Sequence, residues 1–226
     1  MPGGVGCGEV RFGMEITKCG ELWEVGNGKQ GETTMRQSTI YTKVFDVQIT
    51  GIGALLQHKF SIADEPAKVI RITGVRDFSD EAQKAMYVND EGLICQPSEH
   101  IHKAMVLVSS AFKIPGRRGK TYKDSVNAAL FLDPELIVHN NQTVTIDQRP
   151  VKVGQARIVR ERPRIDDWSL DFRITVMDEQ LHEDVVFDIL ELAGRMKGIG
   201  DYRPKFGRFK ITRFDELTTE EILAAD

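Results

Sequence analysis

Glycines, cations and aromatic rings alternate in one stretch of the chain, residues 194–209 (GRMKGIGDYRPKFGRF). Glycine lets backbone N–H groups turn toward a common point and lets a second backbone approach closely. Lys and Arg neutralise phosphates, and aromatic rings stack on unpaired bases. The stretch is not a P-loop, since it lacks GK[ST], and it is not a dinucleotide fingerprint, since it follows a helical pattern and precedes a strand pattern. Two interpretations stay open: a segment that lies along a nucleic-acid backbone, or a long turn whose glycines only end a helix and make room for packing.

Two further groups of cations are candidates for contact with a polyanion. Residues 113–123 (KIPGRRGKTYK) form a predicted basic loop, for which a solvated charged loop is the alternative. One arm of the predicted hairpin carries the second group: Arg157, Arg160, Arg162 and Arg164. Either the first two face the open side of the sheet and meet phosphate, or the arginines pair across strands with acids, namely Asp166, Asp167 and Asp171.

Catalytic and metal chemistry is less well represented. His100 and His102 are two residues apart on a predicted helix, so they project about 200° apart and are poorly placed to chelate one ion. No Ser-His-Asp or metal–carboxylate motif has a recognisable spacing. We therefore expect a non-enzymatic protein without a cofactor or a metal.

Composition restricts the class of protein. The chain has 226 residues, 41% of them hydrophobic and 28% charged, which is typical of a globular protein and excludes disordered, collagen-like and coiled-coil classes. The formal net charge of -4 means that any polyanion site must be a local patch. No apolar run is long enough for a membrane span, and no signal peptide is visible. The cysteines, Cys7, Cys19 and Cys95, have neither disulfide nor zinc spacing, so we expect a reduced cytoplasmic protein.

The two ends of the chain differ from its centre. Residues 1–34 are rich in glycine and have little to bury, which predicts a flexible leader; Met35 is then a candidate natural start. Residues 35–215 are predicted to form a single domain. Residues 216–226 are a predicted tail, with a short helix around Ile222 and Leu223 as the alternative.

Hydrophobic periodicity predicts the elements that position these residues. Strands are predicted at 42–50, 69–73 and 208–214, and a long hairpin is predicted from 151–160 and 168–176 with a bulge at Gly154. A short helix is predicted at 79–86. A longer one is capped by Ser98 and buries Ile101, Ala104, Met105, Val108 and Phe112. The last helix begins at Asp178, ends at Gly198 and has a predicted apolar face of Leu181, Val185, Ile189, Leu192, Ala193 and Met196.

The order strand, helix, hairpin, helix, strand is that of an α+β, ferredoxin-like fold with an antiparallel sheet, helices on one face and some insertions. The other face of such a sheet is open, and we expect a chain-like ligand there.

Two segments resemble a known family. Residues 94–111 (ICQPSEHIHKAMVLVSSA) and 198–209 (GIGDYRPKFGRF) are similar to motifs of the RAMP superfamily of CRISPR-associated proteins, and most to the subunits that line up along guide RNA. The resemblance implies an RNA-recognition-type fold, binding of single-stranded RNA, and assembly with other copies and with other ribonucleoprotein subunits in antiviral defence. The residues expected to contact RNA are Ser98, Lys103, Arg117, Arg118, Lys120, Arg195, Lys197, Gly198, Gly200, Tyr202, Arg203, Lys205, Phe206, Gly207 and Arg208.

Two other functions stay open. The first is a structural or self-assembling protein of the same fold, for instance a viral one, that binds no nucleic acid; the acidic net charge favours it. The second is a metal-independent RNA endonuclease, because processing enzymes of the superfamily hold a general base near the position of His58. Some backbone subunits of the superfamily cut target RNA with an aspartate after the first strand. Asp64 has a similar position, although a surface turn carboxylate is the simpler interpretation.

Overall fold

The structure, a computed structural model, describes residues 42–60, 79–154, 156–218 and 221. Several predictions fall outside those residues: the leader and the start at Met35, the strand at 69–73, Asp64, and the terminal helix around Ile222. The strands are β1 (Lys43–Gly51), β2 (Leu55–Leu56), β3 (Cys95–Pro97), β4 (Leu130–Asp133), β5 (Leu136–Val138), β6 (Thr145–Val153), β7 (Ala156–Ile165), β8 (Ser169–Val176) and β9 (Phe209–Glu216). The helices are α1 (Ser79–Lys84), α2 (Ser98–Ser109), α3 (Lys123–Ala129) and α4 (Glu183–Met196).

The central sheet has four antiparallel strands in the order β4-β8-β1-β9. Along the chain, β1, α2, β4, β8, α4 and β9 follow the β-α-β-β-α-β order, so the predicted ferredoxin-like arrangement is confirmed. Strict alternation puts Phe45, Val47 and Ile49 of β1 on the buried face of the sheet. The buried residues of α2 and α4 complete the same core, so both helices cover this face.

The predicted long hairpin is wrong in its pairing. Strand β8 does not pair with the strand before it but with β1 and β4, and Phe172 stands opposite Val47 of β1. The preceding residues pair with themselves: β6 and β7 form a hairpin whose turn contains Gly154, which has a φ of +62°. The single strand predicted at 151–160 contains the turn between β6 and β7, so its residues belong to two strands that pair with each other. Gly154 is therefore a turn residue and not a bulge.

Both long helices begin away from their predicted first residues. Helix α2 buries Ile101, Ala104, Met105 and Val108 as predicted, but Pro97 occupies the cap position and Ser98 is the buried first residue. Helix α4 begins at Glu183 and not at Asp178. Its buried face is Val186, Ile189, Leu190, Ala193 and Gly194, so Met196 is exposed, contrary to prediction. The helix ends before Gly198 as predicted.

Candidate functional site

The glycines of the loop between α4 and β9 hold the loop against its own domain. Gly200 and Gly207 have φ values of +75° and +72°, and a Cβ on Gly207 would lie 1.8 Å from the Ile199 carbonyl oxygen. Backbone N–H groups of the loop donate to internal acceptors: Asp201 to the Leu56 oxygen at 2.7 Å and Gly207 to the Ala54 oxygen at 2.9 Å. These N–H groups are therefore used inside the protein, and the loop can offer a ligand chiefly its side chains.

The loop also borders an open groove of about 530 Å³. Leu107 of α2 and Met196 of α4 contribute apolar surface to it, and they are 54% and 60% exposed. Lys197 and Arg203 contribute positive charge, and Tyr202 an aromatic ring that is 39% exposed. The full lining is Leu107, Met196, Lys197, Gly200, Asp201, Tyr202, Arg203 and Pro204. Apolar, aromatic and cationic side chains together match the chemistry of an unpaired, phosphate-linked base.

Two arginines of the β6–β7 hairpin hold Tyr202 in place. The guanidinium of Arg162 lies 5.3 Å from the centre of the Tyr202 ring and pairs with Asp201. The guanidinium of Arg149 lies 4.6 Å from the centre of the Phe206 ring and 5.8 Å from that of Tyr202. All three contacts are cation–π interactions. The hairpin therefore packs against the loop through these two arginines.

Sequence reasoning missed Arg149 altogether and assigned other partners to Arg162. Arg149 pairs with Asp147, whose pKa is lowered chiefly by that hydrogen bond. Of the cross-strand partners considered for the arginine group, Asp166 does pair with Arg164, at 2.8 Å. Asp201 is far along the chain from Arg162, so no local pattern could have shown their contact.

The remaining predicted RNA-binding residues differ in their exposure and do not line the groove, apart from those already named. Ser98, Gly198, Phe206 and Gly207 are buried, so their side chains have little surface to offer. Lys103 and Arg195 are exposed, and they pair with Glu99 at 2.7 Å and Glu191 at 3.8 Å. Lys205 and Arg208 are exposed, and in sequence they lie close to residues that line the groove. The basic loop residues Arg117, Arg118 and Lys120 are exposed as well, but they do not line the groove.

The face of the central sheet opposite α2 and α4 carries mixed charge. Arg213 of β9 pairs with Asp46 and Asp171, each at 3.0 Å, and Gln48 donates to Asp171 at 2.8 Å. The acids thus neutralise a cation that would otherwise face a ligand. We had expected a chain-like ligand on this face, but the groove offers a phosphate chain the more positive surface.

A chain of buried polar side chains lies between β2, β3 and α2. Gln57 and Gln96 are fully buried, and His139 is 1% exposed. The Gln57 amide nitrogen donates to the Cys95 carbonyl at 2.8 Å and to Gln96 Oε1 at 3.2 Å, and Gln96 contacts Nδ1 of His100. Burial alone lowers the pKa of His139 to about 4, so this imidazole is neutral at pH 7. The sequence analysis missed this cluster, because glutamines in short strands give no functional signal.

The other histidines are separated in the structure. His102 Nε2 lies 3.2 Å from the carbonyl oxygen of Val126, while His100 lies against Gln96 and the edge of Tyr87. The two rings thus have different partners, as their spacing predicted. His58 is exposed, and in the part of the chain that the structure describes no His, Cys, Asp or Glu side chains are grouped so as to hold a metal.

Comparison with known proteins adds little. No protein-family model matches the chain, and no curated protein matches it either. One structural match is a chain in the cryo-EM structure of the type III-B Cmr-beta bound to cognate target RNA, with 12% identity and a TM-score of 0.43. It covers 78% of this chain and 61% of that chain, so the present chain spans less than two thirds of the length of its match. With so low a TM-score, the match establishes neither a common fold nor a common function. Among the described helices, none has the length and apolar character needed to cross a membrane.

Proposed function

We propose that this protein binds single-stranded RNA in the groove between α2, α4 and the glycine-rich loop, and that it does so as repeated copies along the strand. The resemblance to RAMP-superfamily backbone subunits suggests this arrangement. The observation that carries the proposal is the meeting of Lys197, Tyr202 and Arg203 in one groove. Cations there neutralise phosphates, and the ring stacks on a base. The protein acts by binding and not by catalysis, and its other partners are further copies and other subunits of a ribonucleoprotein.

A salt titration of RNA binding tests the proposal. Each phosphate neutralised on a single strand contributes about 0.7 to the slope of log K against log salt. The variant with Lys197→Ala, Arg203→Ala and Lys205→Ala removes the two cations of the groove lining and an exposed neighbour in the loop. It should therefore lose about 2 from that slope and bind more weakly at every salt concentration.

A control of equal charge change comes from elsewhere on the surface: Lys84→Ala, Arg173→Ala and Lys210→Ala. Lys84 and Lys210 are exposed and Arg173 is half-buried, and none of them lines the groove. This variant should keep most of the slope, since only long-range attraction is lost. Equal slopes for the wild type and the loop variant would refute the groove as the RNA site.

Self-assembly without nucleic acid is the second candidate. Exposed apolar side chains favour it, since Ile52 is 55% exposed and Phe60 is 75% exposed. In that case freshly purified protein forms oligomers of defined size by light scattering, with the ultraviolet absorbance ratio of bare protein. Co-purifying RNA, removed by high salt, supports the first candidate.

A further inference from the structure

The buried polar chain has a fixed direction, and the backbone sets it. The N–H of Tyr87 donates to Oε1 of Gln57 at 3.1 Å, so this atom is the amide oxygen. The amide nitrogen of Gln57 must then face the opposite way, where the Cys95 carbonyl and Gln96 Oε1 accept its two protons. Both glutamines are fully buried, so bulk water does not compete for these bonds.

The same logic determines the protonation of His100. Oε1 of Gln96 accepts a hydrogen bond from Gln57, so the amide nitrogen of Gln96 is the atom that contacts His100. That nitrogen donates to Nδ1 of His100. A neutral imidazole has one donor and one acceptor nitrogen. Nδ1 is therefore the acceptor, and the ring proton lies on Nε2. An imidazolium would place a second N–H against the Gln96 amide protons.

The groups around His100 also disfavour its charged form. Burial lowers the pKa of His100 most, and the positive charge of Arg203 on the glycine-rich loop lowers it further. On α2 itself, Glu99 opposes this shift while Lys103 adds to it, and Glu99 is already paired with Lys103. The edge of the Tyr87 ring, 5.5 Å away between centroids, completes the surroundings.

His100 does not itself line the groove, but it lies on the same helix as one of the lining residues. Leu107, which lines the groove, lies seven residues after His100, hence on nearly the same face of α2 and about 10 Å along its axis. Arg203 lines the groove too, and its charge reaches His100. Nε2 of His100 has no hydrogen-bond partner among the described residues. This atom is not fully buried, so solvent reaches it.

We propose that His100 presents a neutral, fixed Nε2–H donor on α2 beyond the groove lining and binds a phosphate oxygen of the strand that leaves the groove, with Gln57 and Gln96 as positioning residues. The assignment of a phosphodiester as the ligand rests on the proposed function, whereas the donor state of the ring does not. A neutral ring with its proton already on Nε2 cannot take a proton there. His100 is thus a binding residue and not a general base.

Two measurements test this proposal separately. Long-range ¹H–¹⁵N spectra of the whole protein should show His100 as the neutral Nε2–H form at pH 7. A neutral ring with its proton on Nδ1, or an imidazolium at pH 7, would overturn the proposal. RNA affinity should fall about tenfold in His100→Phe, as expected for loss of one hydrogen bond to a charged group. The matched control His102→Phe, on the same helix, should bind RNA like the wild type.

The positioning role has its own readout. In Gln96→Glu the carboxylate accepts a hydrogen bond from a protonated Nδ1 and so stabilises the imidazolium; the pKa of His100 should rise, and RNA affinity should increase as the pH falls. The wild type should show no such dependence. The Nε2–H form with unchanged affinity in His100→Phe would overturn the phosphate contact. The Nε2–H form in a wild type that binds no RNA would support the donor state and refute the proposed function.

Discussion

Substitution of Gly207 by alanine tests whether the glycines of the loop serve close packing. The residue has a φ of +72°, and its Cβ would lie 1.8 Å from the Ile199 carbonyl oxygen. The backbone of Ile199 is held in this position, because its N–H donates to the carbonyl of Gly207 at 2.9 Å. The Ile199 carbonyl oxygen therefore cannot move away freely. Gly119 is the matched control, since its φ of +77° is similar but nothing lies within 4 Å of its Cβ position.

The two variants separate backbone conformation from steric overlap. A left-handed alanine costs about 1 kcal/mol, which is all that Gly119→Ala should lose. Gly207→Ala adds overpacking of about 2 kcal/mol, for a total of about 3 kcal/mol. In a protein of this size, 1 kcal/mol lowers Tm by about 3 °C, so calorimetry should show a fall of about 3 °C for Gly119→Ala and about 9 °C for Gly207→Ala. Equal falls would refute the claim that the loop is packed against Ile199.

Two further predictions concern stability. Because the pKa of His139 is about 4 in the folded protein and about 6.5 for an ordinary histidine, protonation opposes folding. The free energy of unfolding should be greatest above pH 6.5, fall by up to about 3 kcal/mol toward pH 4 and then level off; His139→Gln should reduce this dependence in urea titrations. Arg162→Ala leaves Asp201 without its partner and should cost about 2 kcal/mol, whereas Arg213→Ala, at a half-exposed ion pair, should cost under about 1 kcal/mol. Similar losses from the two arginines would contradict the supporting role of the hairpin.

The order of elements was predictable because local patterns determine it. The alternation in β1 and β8 and the apolar stripe of α2 are visible in short windows, and together they predict the ferredoxin-like order. Strand pairing was not predictable, because only tertiary contacts select partners; residues 151–160, predicted as one strand, contain the turn between β6 and β7. The start of α4 was predicted five residues too early, since Leu181 is buried before the helix begins.

The candidate site was predictable in part. The sequence identified the glycine-rich loop, but it did not show that the loop N–H groups bond to Ala54 and Leu56. Nor did it show that α2 contributes Leu107 to a groove beside the loop. The contacts of Arg149 with Phe206 and of Gln57 with Gln96 join residues far apart in sequence. Such contacts follow from the fold and have no local signature.

Photocrosslinking tests the central claim, that the groove beside the glycine-rich loop holds single-stranded RNA. The protein would be irradiated with a 4-thiouridine oligonucleotide and the crosslinked peptides mapped by mass spectrometry. We predict crosslinks at Tyr202 and Met196, whose exposed side chains line the groove, and their loss in high salt. Crosslinks confined to Phe131, which is 48% exposed on strand β4 of the central sheet, would contradict the account.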